Sequence, residues 1–356
     1  MPGRHHRPWM LYGAYGLTGR LILAEALRRG HRPVLTGRDA ERLRALAAAH
    51  GLACRVASLD EPGELAASLD GVDLVLNAAG PFSETGPPLI EACLQAGTCY
   101  VDISGEFHHI AALAGYDECA RSAGIAILTG AGFGVTFGEG LALYALEQVP
   151  NAVRLRLSVA AANAQTTATV RRTIIEVLAK GGYAVEHGRM RHRALAHQSW
   201  VIADGLTSHP FAAAPLGELA ALFRSTNVKE IVVGRPLRPG AARVLRVLSP
   251  FLQFALSIPA IRRLASRDRT PRQTGNPPAE SGLRSWVWAE VWSDAGELHL
   301  FRLDTGEGYA ATASAALANA EALLERSDLR GSLTPGAAFG PAVLGGIPDT
   351  TIAAPA

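Results

Sequence analysis

The chain has little cysteine, no bias of charge and no long unbroken apolar run, and each shortage removes a class of function. Its 356 residues include four cysteines, Cys54, Cys93, Cys99 and Cys119, all in the N-terminal third. None forms a Cys-x-x-Cys pair and no His-x-x-His accompanies them, so neither a disulfide framework nor a metal site is expected. They read as reduced thiols, mostly buried, in a cytosolic protein. A formal net charge of +2 gives no reason to expect a nucleic-acid partner. Met1 to Arg7 is basic, but the apolar run behind it has the length of a strand rather than of a secretory core. The most apolar later segment, Val244 to Leu264, is interrupted by Arg246, Pro250 and Pro259 and is too short to span a bilayer. Contact with a membrane surface stays open for it, because Arg238, Arg243, Arg262 and Arg263 flank it; a buried dimer helix is the alternative. No Walker loop, Ser/His/Asp elbow, His-Glu-x-x-His or internal repeat is present.

What is present begins at once. Trp9-Met10-Leu11-Tyr12 is a short apolar run, followed by Gly13-Ala14-Tyr15-Gly16-Leu17-Thr18-Gly19 and then by a helical pattern from Leu17 to Arg29. A strand, a glycine turn and a helix in that order place backbone N–H groups where a pyrophosphate can sit. Gly13 serves the tight turn, Gly16 the approach of the phosphates and Gly19 close helix–strand packing.

The next hundred residues alternate strand and helix patterns. Strands are expected at Arg32–Leu35, Arg55–Ser58, Asp73–Asn77, Cys99–Ile103 and Ile125–Leu128. Helices are expected from Asp39 to about His50 and at Glu61–Leu69, Gly86–Ala96 and Phe107–Ser122. With the first strand, this is the pattern of an α/β fold with a Rossmann-type doubly wound parallel sheet. The character then changes. Val153–Ala160 alternates apolar and polar side chains. A helix at Ile174–Lys180 and strand-like pieces at Val201–Ala203, Glu230–Val233, Ser285–Trp292 and Leu298–Leu303 follow. They point to an α+β domain with a mixed or antiparallel sheet. Ser266–Ser281 reads as a surface loop, and Thr312–Glu325 as an Ala/Leu helix.

The choice of nicotinamide cofactor rests on the end of the second strand, Leu35-Thr36-Gly37-Arg38-Asp39. Arg38 can pair with a 2′-phosphate, and a small Gly37 suits that arrangement, so NADPH (NADP+) is favoured. Asp39 on the ribose hydroxyls is the competing reading, but it also suits an N-cap. Asn77-Ala78-Ala79-Gly80-Pro81-Phe82 ends the fourth strand with small residues, which let backbone approach a ligand at the carboxyl rim of the sheet. The cofactor set is therefore Gly13, Tyr15, Gly16, Leu17, Thr18, Thr36, Gly37, Arg38, Asn77 to Phe82 and Asp102.

These residues resemble a family. Gly13 to Arg20, Leu35 to Arg38, Asn77 to Phe82, Glu91-Ala92-Cys93-Leu94 and Tyr100-Val101-Asp102-Ile103-Ser104-Gly105-Glu106 look like the saccharopine dehydrogenase-like oxidoreductases. They are most similar to the branch that includes the bacterial trans-acting enoyl reductases. Gly306 to Ala313 and Leu333 to Gly340 resemble that branch too. The resemblance implies an NADP-binding domain over residues 1–135, completed by residues 308–356. It implies a substrate and dimerisation domain inserted at 136–307. It also implies hydride transfer with a small or carrier-bound substrate, such as an enoyl C=C or an imine C=N. One stretch departs: the family's Gly-Phe-Asp-x-x-Pro-Ser-Asp reads here Gly132-Phe133-Gly134-Val135-Thr136-Phe137-Gly138-Glu139. A non-catalytic NADP-binding sensor or scaffold is the alternative this motivates.

Reduction by NADPH needs a proton source beside the hydride donor. Asp102 and Glu106 are candidates, as carboxylates close enough to shift each other's pKa; the plainer reading is a turn acceptor and a helix start. Tyr309 is a third candidate, with packing as its alternative. His108 and His109 read as a mainly surface pair. Gln165 to Thr169 with Arg171 and Arg172 are candidates for an anionic or carrier-bound substrate, or an ordinary solvated face. Trp286, Trp288 and Trp292 alternate on one strand, as a core or dimer face does. A homodimer is expected.

Overall fold

The computed structural model describes residues 7–353 apart from 163–167, 205–206, 259–260, 262–264 and 266–281. The chain divides into two compact units, residues 1–136 with 309–348, and residues 137–308 with 349–356.

The first unit is a seven-stranded parallel sheet. Its strands are β1 (Trp9–Tyr12), β2 (Val34–Gly37), β3 (Cys54–Val56), β4 (Leu74–Asn77), β5 (Cys99–Asp102) and β6 (Ala126–Leu128), with a late strand, Gly331–Leu333, beside β6. The order across the sheet is Gly331–Leu333, β6, β5, β4, β1, β2, β3. The direction of winding therefore reverses at β1, and the crevice of a doubly wound sheet opens at the carboxyl ends of β1 and β4. Both faces are covered, which is why β1 is apolar at every position. Trp9 and Leu11 pack with Leu35, Leu76 and Leu317 on one face. Met10 and Tyr12 pack with Val75, Leu89 and Tyr100 on the other.

The helices of this unit are α1 (Leu17–Arg28), α2 (Ala40–His50), α3 (Pro62–Ser68), α4 (Phe82–Ala96), α5 (Phe107–Leu113) and α6 (Asp117–Ser122). Helix α4 begins four residues before the expected Gly86. Pro87 and Pro88 suit a first turn in sequence, yet they lie inside the helix, whose start is set by contacts described below. The expected single helix from Phe107 to Ser122 is α5 and α6 joined by a tight turn at Ala114–Tyr116.

The second unit is built on a nine-stranded sheet. Helix α7 (Phe133–Gln148) leads into β7 (Ala152–Ala160), and α8 (Ala168–Lys180) follows. Then come β8 (Gly182–Glu186), β9 (Arg189–Arg193), β10 (Ser199–Asp204), β11 (Thr207–Ala213), α9 (Gly217–Ser225), β12 (Glu230–Pro236) and α10 (Pro239–Ser257). Strands β13 (Ser285–Ser293) and β14 (Leu298–Thr305) complete its core. β7 runs parallel to β12 and antiparallel to β13, so the sheet is mixed. One face carries Trp288, Trp200 and Phe211, with Trp286 half-buried beside them. Trp286 and Trp288 thus pack in the core of this face, whereas Trp292 is half-buried under Arg154 and Arg156. A last short strand, Thr351–Ala353, pairs with β14, so the last residues of the expected 308–356 segment join the second sheet. The expected loop at Ser266–Ser281 lies wholly outside the described residues.

Candidate functional site

The glycine turn closes as its spacing requires. Gly13 has φ +81°, in the left-handed region. Its N–H donates to the Thr36 carbonyl at 3.0 Å, which ties the turn to the end of β2. A Cβ at Gly19 would lie 2.2 Å from the Gly13 carbonyl oxygen, so α1 can approach the turn only with glycine there. Gly16 is the N-cap of α1 in extended conformation, with no side-chain hydrogen bond to the helix and no acidic residue in the first turn. The N–H groups of Leu17 and Thr18 are thus the helix's unclaimed donors, beside partly exposed backbone. This cradle fits a pyrophosphate.

Gly37 also has a packing reason. A Cβ there would meet Cε1 of the Tyr15 ring at 2.7 Å. Gly37 therefore seats Tyr15, whose hydroxyl accepts the Asp39 N–H at 3.3 Å. Asp39 is occupied as the N-cap of α2, taking the Arg42 N–H at 3.1 Å. Arg38 stands exposed at the end of β2 and makes no ion pair among the described residues. Thr36 is buried and donates to the Arg55 carbonyl at 2.6 Å. The tip of β2 thus offers one exposed cation, beside a carboxylate whose Oδ1 is taken by the cap of α2.

The carboxyl ends of β4 and β5 are bound into one network. Asn77 is fully buried. Its amide donates to Tyr100 Oη at 3.1 Å and Thr85 Oγ1 at 3.2 Å, and its oxygen takes the Ala79 N–H at 2.9 Å. Ala78, Ala79, Gly80 and Pro81 then line a partly exposed rim, with a cis bond between Gly80 and Pro81. Glu106 reaches this rim from the far end of β5. Its carboxylate accepts the N–H groups of Phe82 and Ser83, at 2.9 and 3.0 Å. These are the first donors of α4, which is why the helix starts at Phe82 and why its N-terminus, unlike that of α1, already holds an anion.

Asp102 is fully buried and has both oxygens engaged. Oδ1 accepts from Ser104 N–H at 2.9 Å, Thr129 Oγ1 at 2.8 Å and Gly130 N–H at 3.1 Å. Oδ2 accepts from Tyr100 Oη at 3.0 Å and meets His109 Nε2 at 2.7 Å. Burial pushes this carboxyl's pKa up, but the charge and hydrogen bond of His109 and the N–H groups of Ser104 and Gly130 outweigh it, so the group is held below the usual carboxylate range. Tyr100 is pushed well above the usual tyrosine range by burial and then by the Asp102 charge. The charged partner that acts on Asp102 is His109. An Asp102 with no exposed surface is placed to hold the rim rather than to touch a substrate.

His109 is buried, which corrects the surface placement expected for the pair; its ring faces Phe82, and a Cβ at Gly86 would lie 2.4 Å from it. Tyr309 stands half-buried in the first turn of the helix Gly308–Glu325 and takes no part in the bonds of Asp102. Arg171 and Arg172 lie on α8, half-buried and exposed. Gln165, Thr166 and Thr167 lie outside the described residues.

Sequence reasoning missed three supports of this rim. Thr129 holds Asp102 from the end of β6. Thr312 Oγ1 accepts the Phe133 N–H at 3.3 Å, and Asn319 donates to Thr136 Oγ1 at 3.2 Å. The departing stretch from Gly132 onward is thus anchored by a helix almost two hundred residues later, a partner no local pattern reveals.

Comparison with known proteins agrees with this geometry. The model of the saccharopine dehydrogenase NADP binding domain matches residues 9–128. A trans-acting enoyl reductase from Mycobacterium leprae is 36% identical over 113 residues, covering 30% of this chain and 27% of that protein. A probable mitochondrial saccharopine dehydrogenase-like oxidoreductase from Arabidopsis thaliana is 30% identical over 171 residues, covering 42% of this chain and 38% of that protein. The chain therefore spans about a quarter to two-fifths of the length of these curated relatives. Among solved structures, the apo saccharopine dehydrogenase (L-Glu forming) of Saccharomyces cerevisiae aligns over 98% of this chain and 100% of its own, with a TM-score of 0.65 and 12% identity. That likeness is one of fold. Residues 9–128 thus match the saccharopine dehydrogenase NADP binding domain and carry the geometry of an NADP-binding unit.

Proposed function

We propose that the chain is an NADPH-dependent reductase that transfers a hydride to a polarised double bond, an enoyl C=C or an imine C=N, of a small or carrier-bound metabolite. The observation that carries the reading is the pairing of an unclaimed α1 N-terminus with a cation, Arg38, that has no ion-pair partner among the described residues. The N–H groups of Leu17 and Thr18 hold the pyrophosphate, and Arg38 holds the 2′-phosphate. Bound NADPH supplies the hydride. The small residues Ala78 and Ala79 let it lie close to the β4 rim. Glu106 and Asp102 are positioning residues. Glu106 fixes the Gly80–Phe82 turn through α4, and Asp102 fixes the ends of β5 and β6. Tyr309 is the catalytic candidate, because a hydroxyl there can return a proton to the atom opposite the hydride.

The enoyl alternative draws on the names of the mycobacterial relatives, and the carrier-bound alternative on their description as trans-acting. A homodimer in a reducing, cytosolic setting completes the reading. The test is NADPH oxidation measured with enoyl thioesters and with cyclic imines. Turnover with either class supports the reading and selects the bond. Tight NADPH binding with no turnover on either would instead favour a non-catalytic NADP sensor, which the altered Gly132–Glu139 stretch motivates.

A further inference from the structure

Helix α10 presents its large apolar side chains outward. Its buried positions are Ala242, Ser249 and Leu256, spaced by two turns along one side. That side is docked by Ala242 packing with Ala196 and Ala212 and by polar contacts. Ser249 Oγ accepts the Leu195 N–H at 3.0 Å, and Arg246 Nε donates to the Ala196 carbonyl at 2.8 Å. On the opposite side Val244 and Val247 are 58% and 62% exposed, and Phe251 and Phe254 are 70% and 73% exposed. Leu248 and Ile258 continue the stripe. With 3.6 residues per turn, these six positions fall within an arc of about 120°. Exposed apolar surface that is this contiguous marks a contact face.

The charge around the stripe says what the contact is. From Ile231 to Arg267 the sequence holds seven arginines and not one Asp or Glu. Arg238 and Arg243 stand at the start of the helix, and Arg262 and Arg263 follow it in sequence. A second copy of the chain, paired on the same face about a two-fold axis, would bring this wholly basic segment against itself. An anionic surface would complement it. No helix among the described residues is long and apolar enough to cross a membrane.

We propose that α10 is a membrane-surface helix that lies in the headgroup region of a bilayer carrying anionic lipids. Val247, Phe251 and Phe254 enter the acyl boundary, and Arg238 and Arg243 meet the lipid phosphates. The inference is independent of the reductase reading. It gives the chain a place at a lipid surface, where an apolar substrate would be concentrated.

The test is flotation of the full-length protein with vesicles of phosphatidylcholine alone and of phosphatidylcholine with phosphatidylglycerol. The protein should float with the mixed vesicles, weakly with the neutral ones, and less as salt is raised. The double variant Phe251→Glu, Phe254→Glu should lower the partition coefficient at least about tenfold. Both side chains are exposed, so the variant should keep its melting temperature and its NADPH affinity. Absence of wild-type flotation, or flotation unchanged in the variant, would overturn the proposal. So would sedimentation velocity showing a wild-type dimer that the variant converts to monomer while neither binds vesicles, because the face would then serve a second copy.

Discussion

Removing the Asp102 carboxylate should damage the nucleotide-binding unit more than any exposed change in it. Asp102→Ala leaves the Ser104 and Gly130 N–H groups and the Thr129 hydroxyl without their acceptor, and strands Tyr100 and His109 in a fully buried site. Each orphaned buried donor costs about 1–3 kcal/mol, but repacking and water make such costs less than additive. Breaking a buried charged pair gives the firmer scale, about 3–5 kcal/mol. For a unit of this size that is a fall in Tm of about 10 °C.

Asp102→Asn separates charge from hydrogen bonding. Its oxygen keeps the three donors on Oδ1, and its amide can donate to Tyr100 Oη, while His109 Nε2 must lose its proton before it can accept from the amide. The loss should be about 1–2 kcal/mol. The assay is thermal unfolding of wild type and both variants, followed between pH 3 and 8 (an experimental range of about five pH units around the carboxylate and imidazole values). The folded-state pKa of Asp102 lies below its unfolded value. Its contribution is therefore complete above about pH 4 and is lost as pH falls through the folded value, so the gap between wild type and Ala should be widest at neutral pH and close in acid. An Ala variant that melts within about 2 °C of wild type at neutral pH would refute the reasoning. A second readout separates positioning from proton transfer: the Asn variant should keep the shape of the kcat/KM pH profile.

Three other outcomes follow from the same geometry. Arg38→Ala should raise the Kd for NADPH about 10- to 100-fold and leave that for NADH unchanged, as measured by fluorescence titration, because a charge-assisted bond to the 2′-phosphate is lost. Gly19→Ala forces a Cβ to 2.2 Å from the Gly13 carbonyl and 3.0 Å from Ala14 Cα, both backbone. It should cost about 1–3 kcal/mol or more and abolish NADPH binding, read by calorimetry and by unfolding. Tyr309→Phe should lower kcat about 10²- to 10⁴-fold with the Kd for NADPH unchanged, if its hydroxyl returns the proton.

The first sheet was legible because its signals are local. The Trp9–Tyr12 run, the glycine turn and the Asp39 cap each lie within a few residues of what they shape. The sheet of the second unit was legible only in part. β9 reads Arg-Met-Arg-His-Arg, with no alternation to mark a strand, and is held by its antiparallel partner β8. β11 was missed beside an identified neighbour for a similar reason, since Pro210 and His209 interrupt its pattern.

The candidate site divides in the same way. Gly13, Gly16 and Gly19 explain themselves through spacing. The start of α4 depends on Glu106, more than twenty residues on, and the burial of His109 depends on Asp102. Gly37 has a role in the folded turn that no local pattern shows. Its lack of a side chain makes room for the Tyr15 ring, a contact that only the folded turn creates.

The most direct measurement is a crystal structure of the full chain with NADP+ bound. The account predicts the pyrophosphate on the N–H groups of Leu17 and Thr18, the 2′-phosphate within hydrogen-bond reach of the Arg38 guanidinium, and the nicotinamide along the Ala78–Pro81 rim with Asp102 untouched. A pyrophosphate away from the Gly13–Gly19 turn, or a 2′-phosphate met by groups other than Arg38, would contradict it.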